Sequence, residues 1–229
     1  MVLSSMAACK KEEPLRQPDT SYNPEILASN FTNSTNLINP LFPYQPGKKY
    51  ILEGQTAAGL ERIEIERLAT NKTVMGISCA VIRDRVWING LLVEDTDDWY
   101  AQDNTGNVWY MGEYVTDFNA DGSVKDHDGS WEAGVDGAKP GINMLADPKV
   151  GMAYRQEYYF DEAEDKAEVA EIGLTVTVLT GTYTNCIKTY ETSDLDPDLK
   201  EHKYYAPHVG FIRGVDLGSN EEIQLIDIQ

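Results

Sequence analysis

The sequence has few basic residues and no hydrophobic run long enough to cross a bilayer. Its 229 residues include 38 acidic and 19 basic side chains, which gives a formal net charge of −19. Nucleic-acid binding needs a basic surface, so this composition argues against a nucleic-acid partner. No stretch approaches the roughly 20 apolar residues of a transmembrane helix. Any attachment to a membrane therefore has to come from another feature of the chain.

Motifs of well-known catalytic chemistry are also missing. His127, His202 and His208, the three histidines, do not have the spacing of zinc ligands. The sequence contains neither a Gly-x-Ser-x-Gly nucleophile turn nor a Gly-Lys-Ser/Thr phosphate loop. We therefore expect a binding or scaffolding domain of unknown biochemical role, with a carbohydrate-active hydrolase as the alternative.

The first of only three cysteines, Cys9, lies in a distinctive N-terminal context. The small and apolar residues Leu3–Ala8 run directly into it, and charged residues follow at once. This pattern resembles the lipobox of bacterial lipoproteins, in which the cysteine thiol is diacylglycerylated. Because only eight residues precede Cys9 and none is basic, residues 1–9 are predicted to be a truncated lipoprotein signal. A frayed cytosolic N-terminus is the alternative.

The lipobox interpretation predicts where the protein resides. Two or three acyl chains hold a protein stably at a bilayer, so we expect a lipid anchor in the bacterial cell envelope, at the outer membrane. Residues 10–13, Lys-Lys-Glu-Glu, resemble the surface-export signal of Bacteroidetes lipoproteins, and the periplasmic face is the other orientation. The membrane is thus the first expected partner, and an envelope protein or glycan the second. A secreted or periplasmic soluble protein is the alternative.

The other two cysteines, Cys79 and Cys186, both lie in strand-like runs. In an oxidising compartment they could form a disulfide. Two buried, unpaired thiols are an equally good interpretation, since buried cysteine behaves as a small hydrophobic residue.

A change in composition near residue 39 predicts the domain organisation. Residues 10–38 are rich in Pro, Asn, Ser and Thr and have no sustained period, so they are predicted to be a disordered tether. About 30 flexible residues span roughly 30 Å, enough to hold a domain clear of lipid headgroups. One folded domain is predicted over residues 39–229, beginning at Asn-Pro-Leu-Phe-Pro.

The pattern from residue 49 onward has a period of two. Within residues 60–68, Ile63 and Ile65 alternate with Glu64 and Glu66, which places apolar side chains on one face and carboxylates on the other. Asn89-Gly90 predicts a tight two-residue hairpin turn. The predicted strands are residues 49–55, 60–68, 75–87, 91–102, 107–116, 154–160, 174–179, 185–192, 202–205, 211–217 and 222–228.

These runs predict an all-β fold. No crossover helix is available between them, so the strands should pair in sequence as an antiparallel meander. Residues 162–170 fit either a short helix or the start of a strand. A meander of about ten to twelve strands must curl or split. We therefore expect an open or closed barrel, with a β-sandwich as the alternative.

Five stretches carry a family resemblance: NPLFPYQPGKKYILEG, MGISCAVIRD, DDWYAQDNTGNVWYMGE, GSWEAGVDGAKPGINM and EHKYYAPHVGFIR. Over residues 39–217 they resemble a family of secreted or lipid-anchored bacterial β proteins of uncharacterised function. The resemblance implies a location but no activity and no functional residues. Members usually have Ala-Pro-Gly-Val-Gly where this sequence has His208 at the first glycine, so the turn there must tolerate a side chain.

Four carboxylates, Glu94, Asp95, Asp97 and Asp98, precede an aromatic pair in one predicted strand. Two carboxylates on one strand face could share a proton or hold a cation. A solvated edge or outer face is the simpler interpretation.

A calcium loop is the second hypothesis for the acidic residues. Asp117, Asn119, Asp121, Gly122 and Asp128 fit positions 1, 3, 5, 6 and 12 of an EF-hand, whose oxygen ligands suit calcium. The flanking helices are missing, however, and the last ligand is Asp rather than the longer Glu. A hairpin turn explains the same residues, so calcium is kept as a weak candidate cofactor, and no other cofactor is expected.

The last candidate is the glycine-rich segment 129–150, which has no clear strand pattern. Long loops inside compact domains are often functional. Trp131, Glu132 and Asp136 are the candidate ligand contacts, with a sugar stacking on the indole. Glu132 with Asp136 would supply the carboxylate pair of the hydrolase alternative. A plug that closes one end of the barrel is the other interpretation.

Overall fold

Alternating side chains and tight turns fold most of the chain into one antiparallel sheet. The computed structural model describes residues 16–229, so the predicted lipidation site, Cys9, lies outside the described residues. The sheet has fourteen strands and forms a nearly closed barrel. This confirms the all-β fold and the barrel, and not the sandwich.

The strands follow one another along the chain with short connections. A single 3-10 turn, Ala28–Asn30, precedes them. The strands are β1 Lys49–Thr56, β2 Gly59–Val74, β3 Ile77–Ile88, β4 Leu91–Gln102, β5 Val108–Asp117, β6 Trp131–Glu132, β7 Lys139–Met144, β8 Ala153–Arg155, β9 Glu157–Tyr158, β10 Asp165–Val178, β11 Gly181–Ser193, β12 Lys200–Ala206, β13 Gly210–Asp216 and β14 Glu222–Ile228.

The meander closes on itself at two places. The first and last strands pair, with Tyr50 opposite Ile228. On the far side, β8 pairs with β10 while β9, two residues further along, pairs with β7. The intervening Gln156 donates its backbone N–H to the carbonyl of Asp165 at 2.8 Å. The segment 153–158 therefore spans the gap between the two ends of the sheet.

The period of two predicted the inward face correctly. Ile63 and Ile65 of β2 line the barrel interior, while Glu64 lies between them on the outer face and pairs with Arg62 and Lys49. The predicted turn also forms, because Asn89 and Gly90 both adopt positive φ, 51° and 81°, as a tight hairpin of this type requires.

His208 occupies the turn position where the family resemblance expects glycine. Its φ is 67°, in the left-handed region that glycine enters most easily. The backbone N–H of His208 donates to the carbonyl of Pro40 at 2.6 Å. The turn thus tolerates the side chain and is tied to the segment that precedes the sheet.

Two segments are more regular than the sequence indicated. Residues 129–150 are not one long loop, because β6 and β7 within them pair with β5. Residues 162–170 lie largely in strand β10 rather than in a helix. Sheet pairing with a neighbouring strand, which a local pattern does not reveal, orders both segments.

The N-terminal segment, residues 16–48, packs against the barrel. The prediction of a disordered tether is therefore wrong for residues 16–38. Arg16 pairs with Glu164 at 2.5 Å. The Tyr22 hydroxyl donates to the backbone carbonyl of Pro140 at 2.7 Å, and the Ser34 hydroxyl donates to the backbone carbonyl of Ser78. Polar residues form these contacts, which explains why composition alone suggested disorder.

The end of the N-terminal segment closes one end of the barrel. Leu37 is fully buried, and Leu41, Phe42 and Tyr44 are buried beside it. The Phe42 ring makes edge contacts with Tyr44 and with Tyr100 of β4 at about 4.7–4.8 Å between ring centroids. These side chains form an apolar floor under the interior, and the role of residues 129–150 as a plug stays a prediction.

The two cysteines within the barrel, Cys79 and Cys186, are buried free thiols. Of the two interpretations left open, the structure thus shows unpaired thiols. Burial raises the pKa of Cys79 to about 12, so this thiol is unreactive at neutral pH. Among residues 16–229, no helix is long and apolar enough to span a bilayer.

Candidate functional site

The barrel interior holds a cavity of about 440 Å³. The N-terminal segment forms its floor with Phe42 and Tyr44. Partly exposed residues of the β1–β2 and β13–β14 connections, including Thr56 and Glu221, line the opposite end. Its apolar and aromatic walls come from six strands: Ile63, Ile65, Ile82, Tyr100, Tyr205, Phe211, Val215 and Ile223.

Acidic side chains dominate the charged part of this lining. Lys203 is the one basic side chain that lines the cavity among the described residues. The carboxylates that line it are Glu61, Asp84, Asp98, Glu201, Asp216, Glu221 and Glu222.

A second space of about 220 Å³ continues the first toward β5 and β9. It adds further carboxylates, among them Glu113 and Glu157. Five residues line both spaces, which makes them one continuous interior: Asp84, Asp98, Tyr100, Asn143 and Lys203.

Strand alternation decides which carboxylates face this interior. Glu94 and Asp98 of β4 line it, while Asp95 between them pairs with Arg83 on the outer face. The simpler interpretation of this acidic run, a solvated face, is therefore wrong for two of its four members. Asp98 lies opposite Glu113 of β5 across the sheet, so two strands contribute to one acidic cluster.

Neutral donors, rather than cations, bind Asp98, Glu113 and Glu157. The Tyr110 hydroxyl donates to Asp98 at 2.5 Å, and its ring stacks on Tyr100 with 4.7 Å between centroids. Trp131 Nε1 donates to Glu113 Oε1 and Glu157 Oε2 at 3.1 Å each. Burial raises the pKa values of Asp98 and Glu157 well above the ordinary carboxyl range. Both carboxyl groups therefore favour the protonated form.

Asp84 of β3 has the least compensation of these carboxylates. It lies opposite Ile65 of β2 and Thr96 of β4 in the sheet. Its Oδ1 atom is buried and has no hydrogen-bond partner. Burial, followed by the negative charge of Glu94, raises the pKa of Asp84 to about 7. Burial likewise raises the pKa of Glu113 to about 7.

Lys203 of β12 is committed to neighbouring carboxylates. Its ammonium lies 3.0 Å from Glu191 and 3.5 Å from Glu201. Burial disfavours the charged form, but the charges of Glu191 and Glu201 outweigh it and hold the pKa of Lys203 above its ordinary value. Lys203 thus remains an ammonium ion without neutralising Asp84 directly.

The three predicted ligand contacts lie together at a shallow outer pocket of about 270 Å³. Trp131, however, is buried and directs its N–H inward to Glu113 and Glu157, so the indole is not a free platform for a sugar. Glu132 pairs with Lys72 at 3.0 Å, and Asp136 is exposed. The role of these residues in a hydrolase stays a prediction.

The predicted calcium loop is a hairpin turn after β5. Asp121 accepts hydrogen bonds from the N–H and hydroxyl of Ser123, and Asp117 pairs with Lys125 at 3.2 Å. Asn119 donates to Ser123 within the same turn. Asp128 follows the turn and is exposed. Within residues 16–229 no group of three or more His, Cys, Asp and Glu is placed to hold a metal ion, and calcium binding stays a prediction.

Sequence reasoning missed most of the interior polar residues. Asp84 follows Ala80 and Ile82 at every second position of β3. This alternation could have predicted that Asp84 faces the interior. The inward position of Glu113 could not be predicted from Tyr110, because a register shift between β4 and β5 interrupts the alternation between these two residues. Glu157 and Glu191 come from strands far away in sequence, so their proximity depends on barrel closure.

No protein-family model matches the chain, and no curated protein is similar to it. Among solved structures, the chain is similar to the crystal structure of a "putative lipoprotein" from Parabacteroides distasonis. The two chains are 13% identical, the similarity covers 83% of this chain and 99% of that one, and the TM-score is 0.44.

Proposed function

We propose that the protein is a lipid-anchored cell-envelope protein that binds a small molecule inside its barrel. The observation that supports binding is the interior cavity of about 440 Å³, which combines aromatic and apolar walls with seven carboxylates and Lys203. Ligand sites are typically concave, about 300–1,000 Å³ in volume, and mostly apolar with a few convergent polar groups. Phe42 lies at the floor of the cavity, and its partly exposed opposite end is the candidate entrance.

The N-terminal segment supports a particular arrangement at the membrane. Arg16 is held by Asp161 and Glu164, and it is the seventh residue after Cys9. Seven residues span at most about 25 Å. An acylated Cys9 would therefore keep the barrel next to the headgroups instead of extending it on a long tether.

A cavity-filling substitution tests the binding proposal. Ile63→Trp places a larger side chain in the cavity, whereas Leu60→Trp adds one at an exposed position of the same strand. Small aromatic probes of each charge type (2-phenylethylammonium, 2-phenylethanol and phenylacetate) are titrated against labelled protein by NMR. We expect at least one probe to shift interior resonances, with binding lost in Ile63→Trp and kept in Leu60→Trp. Absence of binding by all probes, or equal binding by both variants, contradicts the proposal.

The anchor is tested with Cys9→Ser in the full-length protein expressed in a bacterial host. Because the thiol is the acylated atom, we expect this variant to lose incorporation of labelled palmitate and to move from the detergent phase to the aqueous phase. Cys186→Ser is the matched control, since its buried thiol has no part in acylation. Unchanged labelling in Cys9→Ser contradicts the lipid anchor.

A further inference from the structure

The unpartnered Asp84 oxygen is the first observation that specifies the ligand. On the outer face of the same strands, Glu64 pairs with Arg85 and Lys49, and Asp95 pairs with Arg83. Asp84 Oδ1 is buried yet has no donor, and such an atom destabilises the fold unless a donor reaches it. Because this residue lines the cavity, a bound molecule could supply that donor.

The cavity walls are the second observation. Tyr44, Tyr100, Tyr205 and Phe211 place aromatic rings around the space that Asp84 borders. Aromatic faces attract organic cations as well as apolar groups. A bare metal ion would gain little from such walls, whereas a cation with an apolar substituent would contact both the rings and the carboxylate.

The charge at the open end is the third observation. Glu61 has no basic partner there, and burial together with the charges of Glu221 and Glu201 raises its pKa. Like charges collected at a cleft concentrate ions of the opposite sign and speed their entry. The entrance therefore favours cations over anions.

Building on the proposed function, we propose that the barrel binds an organic ammonium ion with an apolar substituent. Its N–H group donates to Asp84 Oδ1, and its apolar part lies against Tyr100, Tyr205 and the floor. This assigns Asp84 as a binding residue and an amine, rather than an anion or a sugar, as the class of ligand.

Proton release is a consequence of this assignment. Asp84 faces Glu61 on β2, Glu94 on β4, Glu113 on β5 and Lys203 on β12. Because burial raises its pKa to about 7, Asp84 is largely protonated at pH 6 in the empty cavity. A bound ammonium ion favours the carboxylate, so the proton leaves to the solvent and the O–H of Asp84 is replaced by an N–H···O contact with the ligand.

The experiment compares four probes on the full chain: 2-phenylethylammonium, benzyltrimethylammonium, 2-phenylethanol and phenylacetate. We expect 2-phenylethylammonium to bind most tightly, since it alone combines positive charge with an N–H donor. Asp84→Asn should weaken its binding about tenfold or more, as expected for a hydrogen bond to a charged group, and should change 2-phenylethanol binding less than about twofold. Asp97→Asn, on the outer face of β4, should leave all four unchanged.

Calorimetry provides a readout that a structural role of Asp84 would not produce. At pH 6, titration of 2-phenylethylammonium in two buffers of different ionisation enthalpy should give binding enthalpies that differ, because protons are released to the buffer. Asp84→Asn should remove most of that difference. If Asp84→Asn does not fold, proton release by the wild-type protein decides the matter alone.

The outcomes separate the two proposals. If 2-phenylethanol or phenylacetate binds as tightly as 2-phenylethylammonium, and Ile63→Trp still abolishes binding, the ammonium assignment is overturned while interior binding stands. The same assignment fails if ammonium binding releases no protons. If Ile63→Trp leaves the binding of every probe intact, interior binding itself fails.

Discussion

The outer and inner faces of strands β2 to β4 carry similar charges but satisfy them differently. On the outer face, Glu64 accepts hydrogen bonds from Lys49, Arg62 and Arg85, and Arg83 donates to both oxygens of Asp95. On the inner face the donors are neutral: the Tyr110 hydroxyl donates to Asp98 and the Thr96 hydroxyl to Glu94, while Asp84 Oδ1 has no donor.

This difference means that the outer carboxylates stabilise the fold, whereas the ionised inner carboxylates do not. Hydrogen bonds to Lys49 and Arg62 outweigh the burial of Glu64 and hold its pKa below the ordinary value. Burial instead raises the pKa of Asp84 to about 7. The outer network therefore favours the folded state at neutral pH, whereas the ionised inner carboxylate opposes it.

The largest expected effect is a gain in stability on removal of the inner charge. Below about pH 3, Asp84 is largely protonated in both the folded and unfolded states. As pH rises to 7 the unfolded state releases its proton first, so the folded protein loses stability over that window. Asp84→Asn should therefore raise the free energy of unfolding by about 2–4 kcal/mol at pH 8 and change it little at pH 4.

Urea unfolding at both pH values, followed by circular dichroism, measures this effect. The matched control is Glu66→Gln on the outer face of β2, where the carboxylate is partly exposed and lies near Lys49. A loss of stability in Asp84→Asn at pH 8 would contradict the contrast between the two faces.

A smaller effect of opposite sign is expected for the outer network. Glu64→Gln leaves three basic groups without their shared carboxylate, and hydrogen bonds to charged groups contribute about 1.5–3 kcal/mol each at most. Because the side chain of Glu64 is 13% exposed and its partners can reach water, we expect a loss of about 1–2 kcal/mol at pH 7.

The pH dependence distinguishes this loss from the gain expected in Asp84→Asn. The pKa of Glu64 is lowered in the folded state, so its contribution is present at neutral pH and is lost as pH falls through the folded pKa, which lies below the ordinary glutamate value. Thermal unfolding of Glu64→Gln and wild type should therefore converge in acid. A difference that persists there would show that packing, rather than charge, is responsible.

The smallest effect is expected at the Arg83–Asp95 pair. The Arg83 side chain is 37% exposed, and exposed pairs contribute about 0.2–1 kcal/mol. Asp95→Asn should lower the free energy of unfolding within that range at low salt and have almost no effect in 1 M NaCl. If 1 M NaCl does not reduce the effect, the Arg83–Asp95 pair is shielded from solvent, as the inner carboxylates are.

Local patterns predicted the strands well and the interior poorly. Strand β4 begins and ends at the predicted residues, 91 and 102, since alternation and turn residues both act over a few positions. The same alternation places Glu94 and Asp98 on one face of β4, but an acidic strand face is normally exposed to solvent. Only the barrel shows that this face is internal.

The N-terminal segment was misjudged for a related reason. Residues 16–38 have the composition of a flexible chain, and their order comes from single contacts with distant residues, such as Ser34 with Ser78 and Arg16 with Glu164. Contacts of this kind leave no period in the sequence, so no local signal could have predicted them.

The sequence by itself determined the strand order, the turns and the separation of apolar from charged faces, because these follow from backbone geometry and side-chain alternation over short distances. Closure of the sheet decided the rest. It brought carboxylates from β3, β4, β5 and β9 into the barrel interior, where burial raises the pKa of each. The candidate site is thus a property of the tertiary structure, since no segment contains it.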